Sequence, residues 1–234
     1  MNFTIKEMPC LIDGKRIFGL LYMPDGTVNA PAVIMSHGYN ASHGALTDYA
    51  EKLALNGFYA YCYDFCGGSV CSKSSGLTTD MTIYSEMNDL RAVMDMISSL
   101  SFVSGIYLYG ESQGGYISAL MAAQLPERIS GAMLLYPALC IPDNWRGRAQ
   151  QMPDTVEFMG MTLSRKFAEN IPTGKLHEQI GGFRKPVLIM HGDKDAVVDI
   201  AYSERAEGVF PQRKTGALCG RGTWIFSRSK RKCV

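Results

Sequence analysis

Along this chain, short apolar runs alternate with longer segments whose apolar residues recur at helical spacing. Two β-like runs come first, FTIKEMPCLI and KRIFGLLYMP, with Asp13-Gly14 between them as a hairpin turn. AVIMS (32–36) then reads as a buried strand, 48–56 as a helix closing at Gly57, and YAYCYDF (59–65) as a strand running into the glycine loop CGGS. Between Tyr84 and Leu100, residues Met87, Leu90, Val93, Met94 and Ile97 form one apolar helical face. IYLYG (106–110) is a strand and 114–125 a helix of small residues, and GAMLLYP (131–137) and PVLIMHG (186–192) are two further strands. Fully apolar short strands separated by helices predict an α/β fold with a mostly parallel sheet covered on both faces, preceded by an antiparallel hairpin.

One stretch breaks the rhythm. Residues 139–182 show no βα unit but hold Pro142, Pro153, Pro172, several methionines and scattered aromatics. They read either as an insertion over the C-terminal edge of the sheet, where α/β proteins bind ligands, or as an irregular surface excursion. The core is then 1–138 with 183–214, the insertion 139–182, and 215–234 an atypical basic tail.

Composition narrows the function classes. With 234 residues, 47% hydrophobic, 19% charged and a formal net charge of +1, the chain is globular and carries no field that advertises nucleic acid or an acidic membrane. Its first residues lack the apolar core of a signal peptide, and no uncharged run is long enough to span a bilayer. Seven cysteines with no C-x-x-C pair fit free thiols in a reducing cytoplasm better than a disulfide framework or a zinc site. No metal or cofactor is expected, and the oligomeric state is left open.

Three segments carry chemistry. GESQGG (110–115) lies directly between a strand and a helix. A turn this tight admits only small residues around the central one, so Ser112 is expected on a strained corner as a nucleophile, with Gly110 and Gly114 flanking it. SHGYN (36–40) ends an earlier strand. A tetrahedral intermediate needs two backbone donors, which Gln113, after the nucleophile, and Tyr39, in this loop, are placed to supply. His37 is read as a brace of the loop rather than a base, and His43 as lying on the pocket rim or the surface. HGDKDAVV (191–198) ends PVLIM and offers Asp195 as the acid that orients a catalytic imidazole. Asp193 and Asp199 are read as caps, His191 as a brace and His177 as a surface residue.

SHGYN, YDFCGGS, GESQGG and KPVLIMHGDKDAVV, in that order, resemble the α/β-hydrolase superfamily, and within it small bacterial cinnamoyl and feruloyl esterases and serine aminopeptidase-like hydrolases. The resemblance implies an α/β-hydrolase fold, a Ser–His–Asp triad, an oxyanion hole at Tyr39 and Gln113, a cap shaping the pocket, and a small-molecule ester as substrate. A peptidase or acyl-peptide hydrolase of the same fold, or a non-catalytic member, are the alternatives. The family order Ser, acid, His also implies a histidine in a Gly-His loop after one more strand. The chain has four histidines, and none follows His191.

Three readings of the tail TGALCGRGTWIFSRSKRKCV stand side by side: a divergent solvated tail, a localisation or nucleic-acid role for RSKRK, or a changed reading frame that leaves the C-terminal strand and helix missing or aberrant. The codons for Gly220–Phe226, read one base later, permit Gly-Ala-Gly-His-Gly-Phe, with the histidine at Thr223; read two bases later they permit Gly-His-Val-Asp-Phe.

Overall fold

A computed structural model describes residues 2–211 together with the strands Arg213–Cys219 and Thr223–Phe226. The opening strands are β1 (Phe3–Glu7), β2 (Cys10–Ile12), β3 (Lys15–Ile17) and β4 (Gly19–Pro24). The expected single hairpin is in fact two ladders. Asp13-Gly14, both at positive φ, turn only the short β2–β3 pair, whereas β1 pairs with β4. Pro9, which has no N–H to donate, separates β1 from β2.

The core follows as β5 (Ala30–Ser36), α1 (Thr47–Leu55), β6 (Tyr59–Tyr63), α2 (Ile83–Ser98), β7 (Val103–Glu111), α3 (Ser112–Gln124) and β8 (Gly131–Leu135). Helix α2 opens with a reciprocal capping box between Thr82 and Ser85, which fixes its first turn. The stretch 139–182 contains α4 (Ile141–Trp145), a hairpin of β9 (Thr155–Phe158) and β10 (Met161–Ser164), α5 (Arg165–Glu169) and α6 (Leu176–Ile180). The chain then continues through β11 (Val187–Gly192), α7 (Ala201–Glu207), β12 (Arg213–Cys219) and β13 (Thr223–Phe226).

Nine strands form one sheet in the order β1-β4-β6-β5-β7-β8-β11-β12-β13, parallel from β6 to β12 and antiparallel at both ends. Period-2 alternation sends Ile34, Tyr61 and Leu108 into the larger core, with residues of α2, α3 and α6, and Val33, Cys62 and Tyr109 into the smaller one beneath α1. On the α1 side, Val33, Tyr107, Met133 and Leu188 line an open apolar groove of about 550 Å³.

The C-terminal region corrects one expectation. The strand after α7 is present: β12 lies parallel to β11 from Val187↔Arg213 to Gly192↔Leu218, so the sheet takes in Thr215–Cys219, expected to be tail. The departure comes afterwards, where β13 turns back antiparallel along β12. RSKRK lies outside the described residues. Among the described residues, no helix is long and apolar enough to cross a membrane.

Candidate active site

Ser112 begins α3 directly after β7, at φ 49°. A non-glycine residue in this left-handed region stores about 1–3 kcal/mol, which the surrounding contacts must enforce. They do so by close backbone approach. A Cβ on Gly110 would lie 2.3 Å from the Gly114 carbonyl oxygen, and one on Gly114 would lie 2.4 Å from the oxygens of both Ser36 and His37. The same packing brings the loop after β5 onto the nucleophile, since a Cβ on Gly38 would stand 3.2 Å from that of Ser112. Gln113, the second residue of α3, has a backbone N–H with no intrahelical acceptor, at the positive end of the helix dipole.

Ser112, Gln113 and Tyr39 line one small cavity of about 120 Å³, walled by Ile141, Trp145 and Phe158. The β9–β10 hairpin is tied to the loop after β5. The Tyr39 hydroxyl donates to the Phe158 carbonyl at 2.9 Å, and Asn40 Nδ2 donates to the Met159 carbonyl at 3.2 Å. Asn40 Oδ1 accepts from the Val70 N–H and the Ser69 hydroxyl, so one side chain joins the loops after β5 and β6 to the β9–β10 hairpin. Trp145 packs edge-on against both Phe158 and Phe167.

Asp195 stands in the loop after β11. Its Oδ1 accepts the N–H groups of Val197 and Val198 at 2.8 and 2.9 Å, and those two valines reach the cavity that Ser112 lines. The structure thus places the Asp195 loop beside Ser112. Asp199 accepts the Ala201 N–H at the start of α7.

All four histidines lie elsewhere. His37 is fully buried, its Nδ1 donating to the Gly38 carbonyl and its Nε2 accepting the Phe65 N–H, and burial pushes its pKa down. His191 donates from Nε2 to the Val198 carbonyl, and its Nδ1 meets the Ser203 hydroxyl at 2.7 Å; Asp195 Oδ2 is 3.5 Å from Nε2. Both rings brace loops. His43 differs from its expected place on the rim or surface: it is largely enclosed, with Nδ1 2.7 Å from the buried Asp64 carboxylate and its ring against Phe18. Asp64 draws it inward by also accepting the backbone N–H groups of His43 and Lys73. His177 is exposed beside Glu178. Position 223, where the codons read one base later would permit the expected histidine, is the first residue of β13 and is threonine.

Two features carried no signal in the sequence. Glu86 of α2 is buried beneath the corner, and its Oε2 accepts from Gln113 Nε2 at 2.8 Å. Burial, with the nearby Asp89 adding to it, pushes its pKa up to about 8. Glu111, between Gly110 and Ser112, accepts the Tyr109 hydroxyl at 2.7 Å, and burial raises its pKa also.

The family model of serine aminopeptidase, S33, matches residues 28–179, the segment that carries the Tyr39 loop and the Ser112 corner. The chain belongs to this family. The chain is also similar to rat monoglyceride lipase, 26% identical over 140 residues, covering 59% of this chain and 45% of that protein. Lipase 3 of a Moraxella strain is 22% identical, covering 82% and 71%. The chain spans about half the length of the monoglyceride lipases it matches. Among solved structures, Est1E from Butyrivibrio proteoclasticus with ferulic acid bound superposes with a TM-score of 0.84 at 27% identity, covering 91% of this chain and 89% of that one. The fold is that of the α/β-hydrolases. The S33 match ends before Asp195.

Proposed function

We propose that this chain is a serine hydrolase of small carboxylic esters whose machinery lacks its general base. The observation that carries the reading is Ser112 at φ 49°, at the N-terminus of α3, in one cavity with Tyr39 and Gln113. Ser112 Oγ attacks the ester carbonyl, and the N–H groups of Tyr39 and Gln113 hold the oxyanion. The alcohol then leaves, and water releases the acid from the acyl-enzyme. Asp195 is the acid that would orient an imidazole. An aromatic-walled cavity of about 120 Å³ suits a compact acyl group, and the likeness to a protein with ferulic acid bound makes feruloyl and cinnamoyl esters the first to try.

Removing the base role from a serine hydrolase lowers kcat by on the order of 10⁶, with residual catalysis from the oxyanion hole and binding. The shifted frames that permit Gly-His at Gly220–Phe226 support a change of reading frame as the origin of the loss. The test is turnover of 4-nitrophenyl acetate and butyrate, with fluorophosphonate labelling of Ser112. Slow turnover abolished in S112A, with Ser112 labelled, is the expected result. Turnover in the normal range would mean that another residue supplies the base.

A second reading, a non-catalytic member that binds ligand in the cap pocket, is favoured by the placement of all four histidines away from Ser112. Its mark is a Ser112 inert to the fluorophosphonate. A peptidase separates from an esterase on p-nitroanilide substrates.

A further inference from the structure

Glu86 is a carboxyl group sealed in the core, 1% exposed, with no salt bridge among the described residues. Burying such a group is costly unless it stays neutral and hydrogen-bonded. It extends from the first turn of α2, and Gln113 Nε2, itself buried, donates to it at 2.8 Å and lies 3.7 Å from Met81 Sδ. The glycine loop passes directly over it, since a Cβ on Gly68 would be 3.3 Å from Glu86 Oε1. The side chain of the residue after the nucleophile is therefore fixed at its far end by one buried acid. In the proposed mechanism, the backbone N–H of that same residue holds the forming oxyanion.

We propose that Glu86 is a positioning residue for acyl transfer: through the Gln113 side chain it holds the Gln113 N–H in line with the oxyanion, and its neutral form is the one that supports the reaction. This deepens the ester-hydrolase reading and rests on it. The titratable groups facing Glu86 are Asp89 on its own helix, the Tyr39 hydroxyl from the loop after β5, and the Tyr63 hydroxyl from β6. Desolvation first, and Asp89 second, push Glu86 up to about 8, while the bond from Gln113 works in the opposite direction. Near pH 7 the carboxyl is protonated and adds no charge beneath the site. Above pH 8 it becomes an anion under the N-terminus of α3, where it opposes the negative charge that the transition state places on the carbonyl oxygen.

The experiment compares wild type, E86Q and E86L from pH 6 to 10 by two readouts: the ¹⁵N–¹H resonance of the Gln113 amide, and the second-order rate of Ser112 labelling by a fluorophosphonate. In wild type the amide should shift with a midpoint near pH 8, and the labelling rate should depart downward, several-fold, from the E86Q profile over the same range. E86L should label about tenfold more slowly at pH 7, E86Q should recover most of that loss, and with 4-nitrophenyl acetate the E86L deficit should fall on kcat rather than KM. A Gln113 amide that does not titrate, or an E86Q profile identical to wild type, overturns the proposal while leaving the hydrolase reading intact. A titrating amide on a Ser112 that never labels overturns the hydrolase reading, and the proposal with it.

Discussion

Gly110 and Gly114 meet across the corner that carries Ser112, and their lack of side chains lets β7, α3 and the loop after β5 share that space. A methyl group at Gly114 would press on two backbone carbonyls, neither of which can rotate aside. Gly114→Ala should therefore lower stability by about 3 kcal/mol. Among the described residues, and leaving its chain neighbours aside, no atom lies within 4 Å of a Cβ added at Gly192, at the end of β11, so Gly192→Ala should stay within about 0.5 kcal/mol. Urea midpoints of the two variants check the contrast. Titration adds a second test. Glu86 binds its proton more tightly folded than unfolded, so its contribution to stability is full below about pH 4.5, its ordinary value, and fades as pH rises through about 8. His37, pushed down by burial, acts in the opposite sense, its contribution being lost as pH falls below the ordinary histidine range. E86Q should flatten the part of the first slope that lies between about pH 6 and 8, above the range of the likewise raised Asp89, and keep the second, read as unfolding free energy against pH. At this scale GESQGG was legible because tight packing leaves a glycine signature. Glu86 was not, because one carboxylate on a helix reads as solvated until its neighbours are known.

The β9–β10 hairpin is joined to the core side of the site by short polar contacts and edge-on aromatic packing. Tyr39→Phe removes one neutral hydrogen bond, worth about 1 kcal/mol, and leaves the ring against Phe158. Asn40→Ala removes contacts to Met159, Val70 and Ser69 together, and abandons a residue at φ 51° that asparagine tolerates better than alanine. Backbone amide exchange should therefore rise in the hairpin for both variants, and further for Asn40→Ala, with β11 unchanged. The positions of α1, α2, α3 and the central strands followed from periodicity, because long apolar faces and fully apolar strands have few other solutions. The hairpin did not: its strands are four residues each, and TVEF and MTLS alternate too briefly to stand out.

At the scale of the whole molecule, two observations converge on the same stretch of sequence. Among the described residues, no imidazole lines the cavity of Ser112, and the groove lined by Val33, Leu53, Met133 and Leu188 beside α1 is open. A parallel sheet is ordinarily covered on both faces, so Tyr107, Met133 and Leu188 mark a seat that suits the apolar side of a helix. The change of frame proposed near Gly220 would account for both, since it would restore a Gly-His loop at the end of β12 and recode everything after it. Sequencing the gene past the codon for Pro211 is the direct check. The shifted frame should read through a Gly-His codon pair and then encode apolar residues at helical spacing. A protein expressed in that frame should hydrolyse 4-nitrophenyl butyrate faster by several orders of magnitude, the scale set by restoring a missing base. It should also bind less of a hydrophobic dye such as ANS, because the groove beside α1 is then filled. A frame that stops, or that encodes no histidine, sinks the idea and leaves the tail as a native feature of a chain that lost its base by substitution.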